Sequence, residues 1–177
     1  MIATVEEIEH RPRSLVEPLN FVETFGRNAP VEIDLGCGDG TFLVQMATEN
    51  PEHDFLGIDR LALRVRSACR KAKMSQLSNV RVLRIEAGYA MTYLVPAESV
   101  SVIHMLFPDP WPKRRHHRRR TFTVQFLLAT HRALVFDGLL HVATDDADYF
   151  HEMERILSAQ PLFKLSSEQP DFSGDEV

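Results

Sequence analysis

Cysteine is scarce in this chain, tryptophan occurs once, and no long apolar run is present. The two cysteines, Cys37 and Cys69, make neither a metal-type spacing nor a disulfide framework, so both are expected as free thiols. No stretch approaches the length that crosses a bilayer, and the first residues lack a basic-then-apolar signal segment. A cytoplasmic protein with no membrane partner is the expectation. Positive charge is short as well: 20 Lys and Arg against 25 Asp and Glu give a net charge of −5. That balance argues against a general nucleic-acid coat, although the average hides one uneven segment. A length of 177 residues with ordinary apolar content fits one domain with a full core, and no internal repeat divides it.

What is present centres on Val31-Glu-Ile-Asp-Leu-Gly-Cys-Gly-Asp-Gly40, an apolar run that breaks into glycines at every second position before a helical pattern starts at Thr41. This predicts a strand, a tight loop and a helix, with side-chain-free backbone that a ligand can approach. A dinucleotide fingerprint would place its third glycine at residue 41, which is Thr; here it is Gly40. Asp34 and Asp39 crowd the same loop, where a pyrophosphate is repelled and a cation attracted. A sulfonium cofactor fits better than NAD. A glycine turn that merely joins strand to helix is the alternative for this loop.

Residues 1–29 read as an N-terminal tail leading into a short helix or capping segment, 30–165 as the main domain and 166–177 as a polar tail. Within the domain, Phe42, Leu43, Met46 and Ala47 recur at helical spacing up to Asn50-Pro51. Phe55–Ile58 predicts a second strand ending in Asp59, about twenty residues beyond the loop, where a ribose diol is bound in such folds. Residues 61–75 alternate apolar and basic groups with helical period, most of the charges reading as a solvated face. Val80–Ile85 and Val100–Phe107 predict the third and fourth strands, the latter running into a rigid Pro108-Asp-Pro-Trp-Pro112 loop. A helix over Phe122–Leu134 ended by Asp137-Gly138, a fifth strand over Leu139–Ala143, and a last helix over Ala147–Leu157 follow, with Leu162–Leu165 as a candidate sixth strand. Strands alternating with helices mean a doubly wound α/β fold: a mostly parallel sheet with helices on both faces.

In such a sheet, ligands bind across the carboxyl ends of the strands, and here those ends carry Asp34, Asp59, Glu86, Asp109 and Asp145. Singly, each serves as well as a turn former or helix N-cap. Together they would share protons or surround a cation, and S-adenosylmethionine, with a sulfonium and an ammonium, is the simplest candidate. A metal ion is disfavoured because strand ends about 5 Å apart spread the carboxylates too widely for one ion. His104, inside the fourth strand, reads as a hydrogen-bonded core histidine.

The uneven segment is Lys113-Arg-Arg-His-His-Arg-Arg-Arg120, six of eight residues cationic, at the same edge. Screening over about 8 Å leaves this local field intact for a polyanion. If all six cations met phosphates, the log-log salt slope would be roughly −4 to −5. His116 and His117 extend the basic surface, and Trp111 is placed either to stack on a base or to cap the core.

With these stretches in view, Val31 to Leu165 resembles the bacterial tRNA (guanine-N7)-methyltransferase family. The resemblance rests on the glycine loop, Phe-Leu-Gly-Ile-Asp59, the Phe107-Pro-Asp-Pro-Trp-Pro-Lys113 segment with its Arg-rich continuation, and Ala-Thr-Asp145. It implies a Rossmann-like class I methyltransferase that uses S-adenosylmethionine on a variable-loop guanosine of tRNA. By the same likeness Asp34, Asp59, Glu86 and Asp109 line the cofactor site with Gly36, Gly38 and Gly40; Asp109 is the catalytic position; Lys113 and Asp145 contact substrate, with Arg114, Arg115 and Arg118 beside them. Asp34, Asp59 and Glu86 stand where family members more often have Glu, Glu and Asp or Asn. Relatives continue with a Thr-x-Phe/Tyr-Glu segment and a final strand, so a sheet without that last strand is expected. Two other classes stay open on the residues: a small-molecule methyltransferase or nicotinamide enzyme on the same sheet, and a non-catalytic RNA-binding module.

Overall fold

Apolar runs alternating with helical patterns produce strands that must be covered on both sides, and the computed structural model, which describes residues 5–166, has that form. In chain order the elements are α1 (Val5–Ile8), β1 (Glu9–His10), α2 (Phe21–Phe25), β2 (Val31–Leu35), α3 (Thr41–Glu49), β3 (Asp54–Asp59), α4 (Ala62–Met74) and β4 (Val80–Arg84). There follow α5 (Ala87–Tyr89) with a π-helical turn over Ala90–Leu94, β5 (Val100–Leu106), a 3-10 helix (Arg114–Arg119), α6 (Val124–Ala133), β6 (Leu134–Ala143) and α7 (Ala147–Ser158). The six strands are all parallel, in the order β1-β4-β3-β2-β5-β6. The chain builds outward from β2 to β3 and β4, then crosses back to β5 on the other side of β2. The gap above β2 and β5 is therefore the switch point where such sheets bind ligands.

The period-two alternation of β2 turns its apolar side chains to one face of the sheet and Glu32 and Asp34 to the other. Val31, Ile33 and Leu35 join a cluster with Phe122, Phe126, Leu127, Tyr149 and Met153 from the α6–α7 side. On the opposite face Leu43 and Ala47 of α3 pack with Val65, Ala68, Cys69 and Ala72 of α4, the latter four recurring at i, i+3, i+4 and i+7. Burial of a side chain such as Leu43 or Phe55 contributes about 1.5–3 kcal/mol. Helix starts are set locally: Thr123 and Asp146 accept hydrogen bonds from Phe126 N–H and Tyr149 N–H and so cap α6 and α7.

Three expectations are corrected. The N-terminal segment is not only a tail, because Glu9 and His10 add an edge strand beside Val82 and Leu83; two residues carry no periodic signal. Asp137-Gly138 does not end the helix: β6 already begins at Leu134, and the register jumps from Val100↔Leu134 to Val102↔Leu139. The extra residues bulge out at Asp137, where φ is +60°. Leu162–Leu165 pairs with no strand among the described residues; Phe163 instead packs against the core, its ring centroid 5.9 Å from that of His131. Most of the polar tail, residues 167–177, lies outside the described residues. No described helix is long and apolar enough to cross a membrane.

Candidate active site

At the switch point a cavity of about 440 Å³ opens above β2 and β5. Its floor is Asp34 with Gly36 and Gly38, one wall is Thr41 and Phe42 at the start of α3, and the other is Leu106, Phe107 and Ala143 at the ends of β5 and β6. The glycine loop is folded by backbone bonds, with Gly36 N–H and Cys37 N–H both donating to the Ile58 carbonyl at 2.8 and 3.1 Å. Gly36 and Gly38 have φ of +79° and +57°, and a Cβ on Gly36 would meet nothing within 4 Å, so this backbone faces open space.

Of the five strand-end carboxylates, Asp34 alone lines the cavity. It is buried, and burial first, then the Asp59 charge, push its carboxyl up from 3.8 to about 7. No ion pair among the described residues engages it. Asp59 sits behind the loop rather than in the cavity wall: Oδ2 accepts from Gly38 N–H at 3.2 Å and Oδ1 from Leu61 N–H at 2.7 Å. Asp39 borders the cavity, but its carboxylate is already engaged. Its carboxylate receives Lys71 Nζ at 2.6 Å, and that bond with the one from Thr41 holds its pKa down to about 2, tying the loop to α4.

Glu86 is exposed and caps α5, accepting from Gly88 N–H at 2.9 Å and Tyr89 N–H at 2.7 Å. Asp109 and Asp145 are exposed and lie outside the cavity lining, each a few residues beyond a wall residue, Phe107 and Ala143 respectively. Phe107 and Trp111 both hold positive φ, +50° and +47°, in the segment carrying Asp109. Lys113, Arg114, Arg115 and Arg118 are exposed on and just before the 3-10 helix. The last two cations of the run are committed elsewhere. Arg119 lies 4.9 Å over the Trp111 ring, and Arg120 is 5% exposed, ion-paired with Glu152 and bonded to the Pro110 carbonyl at 2.7 Å. The salt slope that all six cations would give is thereby out of reach, because a buried guanidinium cannot meet a phosphate.

One polar group beneath the cavity was not singled out from sequence. Glu32, on the same face of β2 as Asp34, joins His53 Nδ1 at 2.6 Å and His104 Nε2 at 2.8 Å, and His104 lies 3.3 Å from His141, Nδ1 to Nδ1. His104 is thus the bonded core histidine expected, and its ring packs edge-on against Phe42 of the cavity wall at 5.0 Å. A second charged residue inside the Val31–Leu35 run, two positions before Asp34, was the available signal. The wall residues Phe42, Leu106, Phe107 and Ala143 were missed because apolar residues at strand and helix ends look like ordinary core. A second cavity of about 470 Å³, at the amino end of β2, contains Arg27, which is already paired with Asp54 at 2.8 Å.

The chain matches, over residues 28–176, the family model described as "Putative methyltransferase". Among curated proteins it is 38% identical over 148 residues to a tRNA (guanine-N(7)-)-methyltransferase of Syntrophotalea carbinolica, covering 84% of this chain and 64% of that one. To the protein of the same name from Yersinia enterocolitica it is 34% identical over 165 residues, covering 93% and 67%. The chain belongs to the tRNA (guanine-N7)-methyltransferase family. It spans a little under two thirds of the Syntrophotalea relative's length, and 55% of a Thermotoga maritima relative to which it is 33% identical over 172 residues. Among solved structures it superposes with TM-score 0.60 on an antibiotic-related methyltransferase at 21% identity, covering 86% of this chain and 76% of that one. It does so with TM-score 0.60 also on a precorrin-6y C5,15-methyltransferase from Geobacter metallireducens at 14% identity, covering 74% and 63%. These likenesses establish the Rossmann-like class I fold.

S-adenosylmethionine is the cofactor this family implies, and the residues present fit it. The cavity has a ligand-sized volume, a glycine floor that leaves backbone open, and a buried carboxylate that a cationic ligand would partner.

Proposed function

We infer that this chain transfers a methyl group from S-adenosylmethionine to nitrogen 7 of a guanine in tRNA. One observation carries the inference: the wall of the donor cavity, Phe107, continues directly into exposed Asp109 and then into the exposed cations Lys113, Arg114, Arg115 and Arg118. A methyl-donor site and a polyanion-binding surface are consecutive in one segment. The curated relatives' common name supports the same substrate.

When bound, the cofactor supplies an electrophilic methyl on a sulfonium. Asp34 would hold its ammonium group, and Gly36 and Gly38 would admit it closely. Guanine nitrogen 7 has an in-plane lone pair and loses no proton as the bond forms, so no general base is required and positioning carries the rate. Asp109 and Asp145 orient the base by accepting from its N–H edge, and the Asp109 carboxylate offsets positive charge developing on the purine. The deep major groove of an A-form duplex hides nitrogen 7, so the target lies in a loop or is turned outward. Lys113 and the exposed Arg114, Arg115 and Arg118 bind the adjoining phosphates.

The deciding experiment is transfer of labelled methyl to an unmodified tRNA transcript, mapped by strand cleavage at 7-methylguanosine. Label at one guanosine, lost in Asp109→Ala while S-adenosylhomocysteine still binds, is the expected result. Unchanged turnover in Asp109→Ala would remove its assigned role, and bound donor with no label on any tRNA would remove the substrate assignment.

A further inference from the structure

Between Arg60 and Arg84 the chain has eight Lys or Arg and no Asp or Glu, in a protein of net charge −5. This segment holds more cations than the run after β5. The structure sorts them. Arg64 lies 3.8 Å from Asp59 and Lys71 is bonded to Asp39, so both brace the glycine loop, while Arg81 is bound to the Thr24, Ser78 and Val80 carbonyls. Arg60, Arg66, Arg70, Lys73 and Arg84 are exposed, and no ion pair among the described residues uses them.

Their placement is ordered. Asp59 and Arg84 are register partners at the ends of β3 and β4, and Arg60 follows Asp59, so Arg60 and Arg84 both lie at the carboxyl edge of the sheet, the edge that holds the donor cavity. From there α4 runs back along the sheet with Val65, Ala68, Cys69 and Ala72 buried. Arg66, Arg70 and Lys73, at i, i+4 and i+7, form one stripe on its outward side, with successive rises of about 6 and 4.5 Å. The 3-10 helix that carries Arg114, Arg115 and Arg118 leaves the same edge from β5, on the other side of β2. Two basic surfaces therefore flank the cavity, separated by three strand spacings between β5 and β4, about 14 Å.

We propose that Arg60, Arg84 and the Arg66–Arg70–Lys73 stripe of α4 form a second docking surface for the substrate RNA's phosphate backbone, distinct from the run after β5. The partner class follows from charge and position. Unpaired cations at intervals of a few ångströms, four of the five being Arg, match a chain of phosphates, which guanidinium forks bind in bidentate fashion. A tRNA held at the cavity mouth by the first surface extends past a single base in both directions, and the second surface lies along that path. The acidic groups nearest to α4 on the cavity side, Asp39 and Asp59, are taken up by Lys71 and Arg64, and screening over about 8 Å weakens the more distant ones. Leu63 and Met74, 77% and 82% exposed on the same helix, are what an acidic protein partner would use instead.

The proposal rests on the tRNA assignment, and the test separates the two. Binding of an unmodified tRNA transcript is titrated from 50 to 300 mM salt for the full chain, for Arg66→Glu/Arg70→Glu/Lys73→Glu, and for the milder Arg66→Gln/Arg70→Gln/Lys73→Gln in case the reversals disturb folding. S-adenosylhomocysteine affinity serves as the control for an intact donor site. The expected result is a salt slope shallower by about 2 to 3, tRNA affinity weaker by roughly tenfold or more at low salt, and unchanged donor affinity. Unchanged tRNA affinity and slope in both variants, with the wild type still methylating tRNA, overturns the second surface alone and directs α4 to a protein partner. A wild type that binds donor but neither binds nor labels tRNA overturns the substrate assignment and this surface with it.

Discussion

Glu32 Oε2 and His104 Nε2 lie 2.8 Å apart, inside the sheet and directly under the donor cavity. Burial acts to raise the Glu32 pKa, but the hydrogen bonds from His104 and His53 outweigh it and hold the carboxyl below its ordinary 4.5. The sign follows: a carboxyl with a depressed folded-state pKa contributes stability that is present above pH about 4.5 and is lost as pH falls through the lower folded value. Glu32→Leu leaves the buried His104 and the partly exposed His53 without their acceptor and should cost about 3 kcal/mol. Urea denaturation at pH 7 and at pH 3.5 checks this, because the difference between wild type and variant must shrink at the lower pH. A difference that does not change with pH would show that packing, not charge, is what Glu32 provides.

Asp34 titrates in the opposite sense. With its folded pKa raised to about 7, the protonated carboxyl is the form that folding favours, so this group's contribution to stability is full below pH 3.8 and declines as pH rises to about 7. A cationic ligand needs the ionised form. Affinity for S-adenosylhomocysteine, which keeps the ammonium group, should fall by up to tenfold per pH unit below 7, and calorimetry between pH 5.5 and 8 reads it directly. Asp34→Asn should bind more weakly with a flat profile, yet melt at a higher temperature than wild type at pH 8. A variant that is both weaker in binding and less stable at pH 8 contradicts the assignment of strain to this carboxylate.

The contrast between these two carboxylates shows what a sequence can carry. The β2–loop–α3 unit, the five main strands and the parallel sheet were legible because hydrophobic period and glycine breaks are local signals. Asp34 was legible because strand ends converge in any doubly wound sheet. The partners of Glu32 were not, since His104 is 72 residues away and reaches it only once β5 is placed beside β2. Asp59 and Glu86 could not be separated from Asp34 by residue type; which carboxylate faces the cavity and which satisfies backbone N–H groups is decided by tertiary position. The cations after β5 posed the same difficulty.

Arg120 closes that basic run and is its buried member, holding Pro110 and Glu152 while its guanidinium sits 4.6 Å over the Tyr149 ring. Arg120 is buried while Glu152 is partly exposed, so Arg120→Ala leaves the Pro110 carbonyl and the Glu152 carboxylate without their donor and should cost about 1–3 kcal/mol and loosen the segment that carries Asp109. Arg114→Ala, at an exposed position, should leave the melting temperature unchanged and flatten the salt slope of tRNA binding by about 0.7–0.9. Thermal melts and salt titrations on both variants separate clamp from contact. Equal melting temperatures for the two would refute the division.

Gly40 has φ +82°, and a Cβ there would lie 2.6 Å from the Ala68 Cβ and 2.7 Å from its Cα, so α3 and α4 meet at this point through bare backbone. Gly26, at φ +76°, is its control, because a Cβ added there would meet nothing within 4 Å. Gly26→Ala should cost only the left-handed backbone penalty, about 1–2 kcal/mol. Gly40→Ala should add overpacking against Ala68, for about 2–4 kcal/mol in total. Because α4 also holds the loop through Lys71 and Asp39, the displaced helix should carry the loop with it and weaken S-adenosylhomocysteine binding, whereas Gly26→Ala should leave that affinity intact. Denaturant midpoints and donor affinity for the pair decide the point: equal losses in both variants would mean that Gly40 serves its dihedral angle alone, and that the cavity floor does not depend on the close approach of α3 to α4.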